Sequence, residues 1–461
     1  IFILLLIPIF SLAQGEAAKV VITGFDIEGN KKTREATITR ELIFQIGDTL
    51  LLNNLQPALD ANKILLLNTG LFTKVEMNIK DWNPETYDLI IKIDVQESLY
   101  IFPIPILELA DRNFNVWWKE QNHSLKRINF GVRLYYENLT GRNDLLKTVL
   151  QFGYTQKYEL EYTLPYINKA QTIGLVTNGL FTRNKEVAYT TEENKLSFFR
   201  ADKFQFQRYR FGGGILYRKK LFQKHQAEIT YYRQSIKDSV FIKNIDFLGG
   251  RKMQQYFILN YKFTKDRLNL RAYPTQGYKI SGELVKEGLG FFKGRNALFI
   301  QPSYAHYFPF GKKKKYSIGF TTQARYQFIR QKPAYYNNQA LGYEELFIRG
   351  YEYYVIDGMD YILGKTSFRY EIFSKGINWG KAMPIKSMKY MPLRIFLAMN
   401  YDFGYVNDPY YNIGNPFAND FLYGGGIGVD LVVFVDKVFQ LEYSVNKQGE
   451  KGFYIHFSLS L

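Results

Sequence analysis

From Tyr100 onward, apolar and polar residues alternate in one segment after another, with turn-like stretches between them. Successive side chains on a strand point to opposite faces, so this period of two predicts strands with one apolar and one polar face. The late segments are the cleanest. Leu393 to Tyr405, Leu422 to Phe434 and Val438 to Val445 alternate throughout, and the final segment sets Phe453, Ile455, Phe457, Leu459 and Leu461 against Tyr454, His456, Ser458 and Ser460. About sixteen such segments fit between residues 100 and 461, an even number that suits a closed antiparallel barrel. The stretch from Lys185 to Phe204 is left without an assignment.

The pattern before residue 100 is different. Val20 to Asn30 reads as a strand, Arg34 to Phe44 and Asn54 to Leu67 as helices stopped by Asn68-Thr69-Gly70, and Phe72 to Lys80 and Tyr87 to Val95 as two more strands. The order is β-α-α-β-β over residues 19–98. Ahead of it, the apolar run Ile1 to Phe10 followed by Ser11-Leu12-Ala13 reads as a signal peptide over residues 1–13.

Composition narrows the class. Mean hydropathy is only -0.25, and after the N-terminus no run of about 18 apolar residues is available for a membrane helix. A barrel can still span a bilayer at this polarity, because its two faces cancel in any window. The 37 Tyr and 38 Phe suit strands and membrane interfaces. Cysteine is absent, which removes disulfides, thiolate nucleophiles and zinc-thiolate sites. The net charge of +17 is spread over polar faces and turns such as Arg208, Arg210, Lys219, Lys220 and Lys312 to Lys315, without a nucleic-acid-binding module. Solvated turns are the plain explanation and anionic lipid headgroups the sharper one. His123, His225, His306 and His456 have no metal-ligand spacing, and Gly424, Gly425, Gly426 and Gly428 sit in an alternating strand where close packing or curvature explains them. No nucleophile-base-acid arrangement stands out, so neither an enzyme nor a cofactor nor a metal site is expected.

One insertion, about Gln331 to Gly364, is long, aromatic and without strand or helix period, and connections of that kind are usually functional. It contains Ile348-Arg349-Gly350-Tyr351. Downstream, the alternation in Lys365 to Phe373 puts Ser367, Arg369 and Glu371 on one face, and in Leu393 to Gly404 it puts Arg394, Ala398, Asn400 and Asp402 on the polar face. If the two strands are neighbours, Glu371 and Asp402 share a side and Arg349 could bridge to either or both.

This constellation resembles the BamA-like superfamily of outer-membrane barrels. Ile348-Arg349-Gly350-Tyr351 is similar to the loop motif that folds back into the lumen there. Glu371 stands where the first inner-wall acid falls, and Tyr401-Asp402-Phe403-Gly404 resembles the motif of the second. Residues 19–98, with Ile27-Glu28-Gly29-Asn30 and Thr69-Gly70-Leu71-Phe72, resemble a single POTRA domain, where BamA itself carries several. Three connections resemble periplasmic turns of the family: Glu137-Asn138-Leu139-Thr140-Gly141, Leu164-Pro165-Tyr166, and Asp266 to Gly277. The last strand resembles the C-terminal signal of outer-membrane proteins, although it ends in Leu461 and not in an aromatic. The resemblance implies a mainly β fold: a sixteen-stranded transmembrane antiparallel β-barrel over residues 100–461, preceded by one small periplasmic α/β POTRA domain.

It further implies insertion of outer-membrane proteins, or translocation of a polypeptide, through a lateral gate between the first and last barrel strands. Clients would be unfolded outer-membrane proteins or secreted polypeptides; lipoproteins and lipid headgroups would be partners, and nucleic acid would not. A passive pore or transporter, or a scaffold for lipoproteins or lipid transfer, are the alternatives. The seam carries its own local signal in Phe102-Pro103-Ile104-Pro105-Ile106. Pro103 and Pro105, two apart on a strand, turn their missing N–H groups to the same neighbour. Either they face an incompletely paired edge opposite Phe453 to Leu461 or they stiffen the exit from the first domain.

Overall fold

A computed structural model describes residues 18–109, 122–343, 346–382, 389–434 and 437–459. The segment read as a signal peptide and Leu461 lie outside these residues. The first unit is a four-stranded sheet of β1 (Lys19–Glu28), β2 (Thr49–Leu51), β3 (Phe72–Trp82) and β4 (Asp88–Glu97) in the order β2-β1-β4-β3, with helices α1 (Glu35–Thr39) and α2 (Leu52–Leu67). Val20 and Ile22 of β1 and Leu89, Ile91 and Ile93 of β4 turn one face inward, where Leu55, Leu59 and Leu66 of α2 complete the core. That helix buries positions four and eleven residues apart, the spacing of one face. The element absent from the sequence reading is β2, whose three residues pair antiparallel with β1. A strand that short has no alternation to detect.

The later strands are β5 (Ile101–Leu109), β6 (Ile128–Glu137), β7 (Leu145–Gly153), β8 (Thr155–Leu164), β9 (Ile173–Asn184), β10 (Glu186–Glu192), β11 (Lys195–Arg200), β12 (Phe206–Tyr217), β13 (Gln223–Ile236) and β14 (Met253–Asp266). They continue as β15 (Gly277–Glu287), β16 (Ala297–Phe310), β17 (Tyr316–Gln327), β18 (Gln339–Leu341), β19 (Ile356–Asp357), β20 (Asp360–Asn378), β21 (Tyr390–Asn407), β22 (Phe421–Val433), β23 (Lys437–Asn446) and β24 (Lys451–Leu459). Leaving out the small hairpins β10-β11 and β18-β19, they form one sixteen-stranded antiparallel sheet in sequence order. The sheet curls until Lys437 Nζ, at the start of β23, lies 6.0 Å from the ring centre of Phe102 on β5. The result is a sixteen-stranded barrel after one α/β domain.

Its solvation is inverted relative to a water-soluble protein. Val438, Glu442, Ser444 and Asn446 of β23 are buried in the barrel, whereas Phe439, Leu441, Tyr443 and Val445 are exposed on its outside. Apolar positions left outward strand after strand require an apolar solvent, which is the condition of a membrane-spanning barrel.

The α/β domain is tied to one end of the barrel by polar contacts. Asn138 Nδ2 donates to Thr33 Oγ1 at 2.8 Å, Thr37 Oγ1 donates to the Gly141 carbonyl at 2.8 Å, and Arg218 Nη2 donates to Glu41 at 2.7 Å. Asn138 is fully buried with a positive φ of 54°, a left-handed turn conformation that asparagine tolerates. Burial raises the Glu41 carboxyl, but Arg218 outweighs it and holds the group below its ordinary value of 4.5. A depressed carboxyl contributes above its unfolded pKa and loses that contribution as pH falls through the folded one. The domain should therefore become more protease-sensitive below about pH 4.5, and Glu41→Ala, which strands Arg218, should show that sensitivity at neutral pH. Limited proteolysis checks both.

At the far end, connections from opposite walls meet. Val187, Val240, Phe247, Leu248 and Tyr335 form an apolar cluster. Thr191 donates to Asp357 at 2.6 Å, Asn415 Oδ1 accepts from the Asn194 N–H at 2.9 Å, and Tyr411 donates to the Pro333 carbonyl at 2.8 Å. The hairpin β10-β11, which occupies the unassigned stretch, belongs to this cover.

Candidate functional site

The long connection between β17 and β20 is ordered by its apolar residues. Leu341, Ile348, Tyr351 and Ile356 pack with Leu363, Val406 and Leu422 of the barrel wall. The Tyr351 N–H donates to the Ile348 carbonyl at 3.0 Å, closing a four-residue turn with Gly350 in third position at φ 82°. A side chain there would be strained and would also meet Asn446 at 2.8 Å. The turn therefore lies flat on the wall with Arg349 at its apex. Two strands leave it room: a Cβ on Gly404 would fall 2.6 Å from Ile348 Cδ1, and one on Gly424 only 2.0 Å from the Arg349 carbonyl oxygen.

Arg349 spans two strands of the inner wall. Its Nη1 donates to Asp402 Oδ1 on β21 at 2.6 Å, its Nε lies 2.8 Å from the Glu442 carboxylate on β23, and its backbone N–H donates to Asp402 Oδ2 at 3.3 Å. Asn400 Nδ2 donates to Glu442 at 2.7 Å, and Lys365 Nζ stands 3.7 Å from Asp402. Asp402 is fully buried, with 0% of its side chain exposed, so its charge depends on these partners. Tyr351 closes the site through its hydroxyl, which donates to Gln448 at 2.6 Å.

Glu371, the alternative or additional partner offered to Arg349, is elsewhere. It pairs with Arg394 at 2.5 Å. The register sets Lys365 opposite Asp402 and Glu371 opposite Phe396, so Glu371 lies six residues further along β20, roughly 20 Å away at about 3.3 Å per residue. Alternation gave its face correctly and could not give its height. Glu442, the second carboxylate that does meet Arg349, was not singled out in the sequence. Its signal was available, since it is the acid on the polar face of Val438 to Val445.

At the seam, the Tyr100 carbonyl accepts from the Glu137 N–H at 2.8 Å. Backbone groups of alternate residues on a strand point to opposite neighbours. Even-numbered residues of β5 therefore face β6, and Pro103 and Pro105, paired in register with Leu134 and Val132, present their ring nitrogens to the opposite edge. Phe453, Ile455 and Phe457 of β24 are exposed, at 70%, 79% and 50%, and pair in register with Tyr443, Leu441 and Phe439 of β23. Leu459 is the last residue of β24. Among the described residues, no hydrogen-bonded ladder joins β5 to β24.

Residues 20–98 match the family model POTRA, described as a surface antigen variable number repeat. Among solved structures, BamA from Haemophilus ducreyi lacking POTRA domains 1–3 aligns with 95% of this chain and 84% of its own at a TM-score of 0.53 and 12% identity. CdiB from Escherichia coli aligns with 95% and 76% at 0.56 and 11%, and CdiB from Acinetobacter baumannii with 95% and 73% at 0.51 and 13%. No curated protein sequence matches the chain. The chain is thus built as a POTRA domain followed by a barrel, and its architecture is that shared by BamA and CdiB.

Proposed function

We propose that the chain is an outer-membrane assembly factor with its POTRA domain in the periplasm, which inserts or translocates polypeptide clients through the seam between β5 and β24. On this reading residues 1–13 are the export signal, 19–98 the client-receiving domain and 100–461 the membrane barrel. The observation that carries it is the seam: two prolines take successive donors from the β5 edge, and a free strand edge is a template for an incoming strand. The POTRA sheet offers a second template, because β3 is an edge strand of eleven residues. A client strand can add there first and pass to the barrel. Periplasmic or outer-membrane lipoproteins would dock on the same domain.

The cover at the far end speaks against a passive pore, since its interlocked connections would have to part before solute could pass. Reconstitution separates the readings. The full chain in liposomes should accelerate folding of a client barrel and give little conductance alone; conductance without acceleration would favour the pore, and neither activity would favour a scaffold.

The periplasmic rim also fits anionic lipid. Lys312, Lys313, Lys314 and Lys315 are exposed in the turn after Phe310, directly beyond an outward row in which Phe310 stacks on Tyr316 at 5.4 Å and Tyr316 on Tyr370 at 4.8 Å. Aromatics at the interface with lysines beyond them place ammonium groups at headgroup depth. Changing all four lysines to glutamine should abolish preferential retention of phosphatidylglycerol over phosphatidylcholine in native mass spectra of the purified chain. Unchanged retention would return these lysines to the role of solvated turn residues.

A further inference from the structure

The residues flanking Arg349 converge on one element, the last hairpin. Phe347 stacks on His456 of β24, with ring centres 4.9 Å apart and planes inclined by 15°. The Glu352 carboxylate lies 3.8 Å from His456 Nε2, and among the described residues neither Glu352 oxygen nor that nitrogen has a hydrogen-bond partner. Tyr353 and Tyr454 meet at 5.8 Å. On the connecting turn, Asn446 Nδ2 donates to the Gly350 carbonyl at 2.8 Å, and Tyr354 donates to Glu450 at 2.7 Å. The loop thus anchors on β21 and β23 through Arg349 and reaches past them to β24.

The local charges explain the Glu352–His456 pair. Asp402, Glu442 and Glu352 supply three carboxylates, and Arg349 and Lys365 two basic groups, so one proton on the Glu352–His456 pair balances the site. Glu352 is faced by Glu442, Arg349, Lys365, His456 and the Tyr454 hydroxyl; His456 is faced by Arg349, Lys365 and Glu352. Burial, with Glu442 adding to it, pushes the Glu352 carboxyl up to about 7.

We propose that residues 347–354 are a strap that positions β24 at the seam, with Phe347 and Glu352 as the positioning residues acting through His456. The reading rests on the seam being the working edge, but its test does not require a client. The readout is amide-exchange protection of β24, relative to intrinsic rates, in the full chain in nanodiscs. Glu352→Ala and His456→Ala should each lower that protection by roughly tenfold, the scale of one lost buried polar contact. Glu352→Gln, neutral and of the same shape, should restore it.

The pH profile gives a second arm. In the wild type the pair takes up one proton in both states, on Glu352 when seated and on the imidazole when free, so protection should change little between pH 4.5 and about 6.5. His456→Phe keeps the stacked ring and leaves Glu352 to titrate alone. A carboxyl raised in the seated state favours seating at low pH and loses that contribution as pH rises from its free value of 4.5 to about 7. Protection in His456→Phe should therefore fall with rising pH, by at most about tenfold per unit, and His456→Phe combined with Glu352→Gln should be flat again. Wild-type protection in both alanine variants, or a flat profile in His456→Phe, would overturn the strap. Failure of client insertion, with these exchange results intact, would count against the proposed function and leave the strap standing.

Discussion

Arg349→Ala is expected to destabilise the barrel and to release the turn from its inner wall. Asp402 and Glu442 would be left as buried carboxylates, with Lys365 at 3.7 Å from Asp402 as the nearest remaining cation. Removing one partner of a buried ion pair typically costs roughly 3 to 5 kcal/mol. The cost here should fall toward the lower end, because Lys365 remains and the lumen can hydrate or protonate the acids. Arg349→Lys keeps the charge and loses the fork that reaches both carboxylates, so it should lie between wild type and alanine. Glu371→Gln should leave the site untouched, since its partner is Arg394. Heat-modifiable migration in gels reports all three, and an Arg349→Ala barrel as heat-stable and as active as wild type would remove the turn's assigned role.

The second large effect is expected from locking the seam. The chain has no native cysteine, so a cysteine at Ile104 of β5 can be paired with single cysteines placed in turn along Tyr454 to Ser458. Disulfides form only where Cα atoms come within about 4.4 to 6.8 Å, and the position that closes efficiently also reports the resting register of the seam. Oxidation should stop client insertion without altering heat-modifiable folding, and reduction should restore it. An oxidised barrel that inserts clients at the reduced rate would show that the working edge is elsewhere.

Much of this molecule was legible in one dimension. Period-two alternation marks each strand of a barrel and also tells which residues face the lumen, so Asp402, Glu371 and the outward series Phe453, Ile455 and Phe457 were placed on their correct faces. The height along a strand was not legible, because it depends on inter-strand register, and that is why alternation leaves Glu371 and Asp402 as equal candidates for Arg349 and does not single out Glu442. Short elements such as β2 and the β18-β19 pair carry too few residues to show a period. His456 looked like any polar residue of the last strand. Only the folded loop brings Phe347 and Glu352 against it, a contact across more than a hundred residues of chain that no local pattern encodes.

Capture of a stalled client at the seam tests the central claim most directly. A client barrel arrested late in assembly, carrying single cysteines through its terminal strand, would be presented to the full chain with a cysteine at Ile101 or Leu107 of β5. The expected result is a disulfide ladder in which client positions two residues apart react and the register shifts coherently between Ile101 and Leu107, as strand pairing requires. Adducts spread without periodicity, or none at β5 while the client still inserts, would contradict a polypeptide-handling seam between β5 and β24.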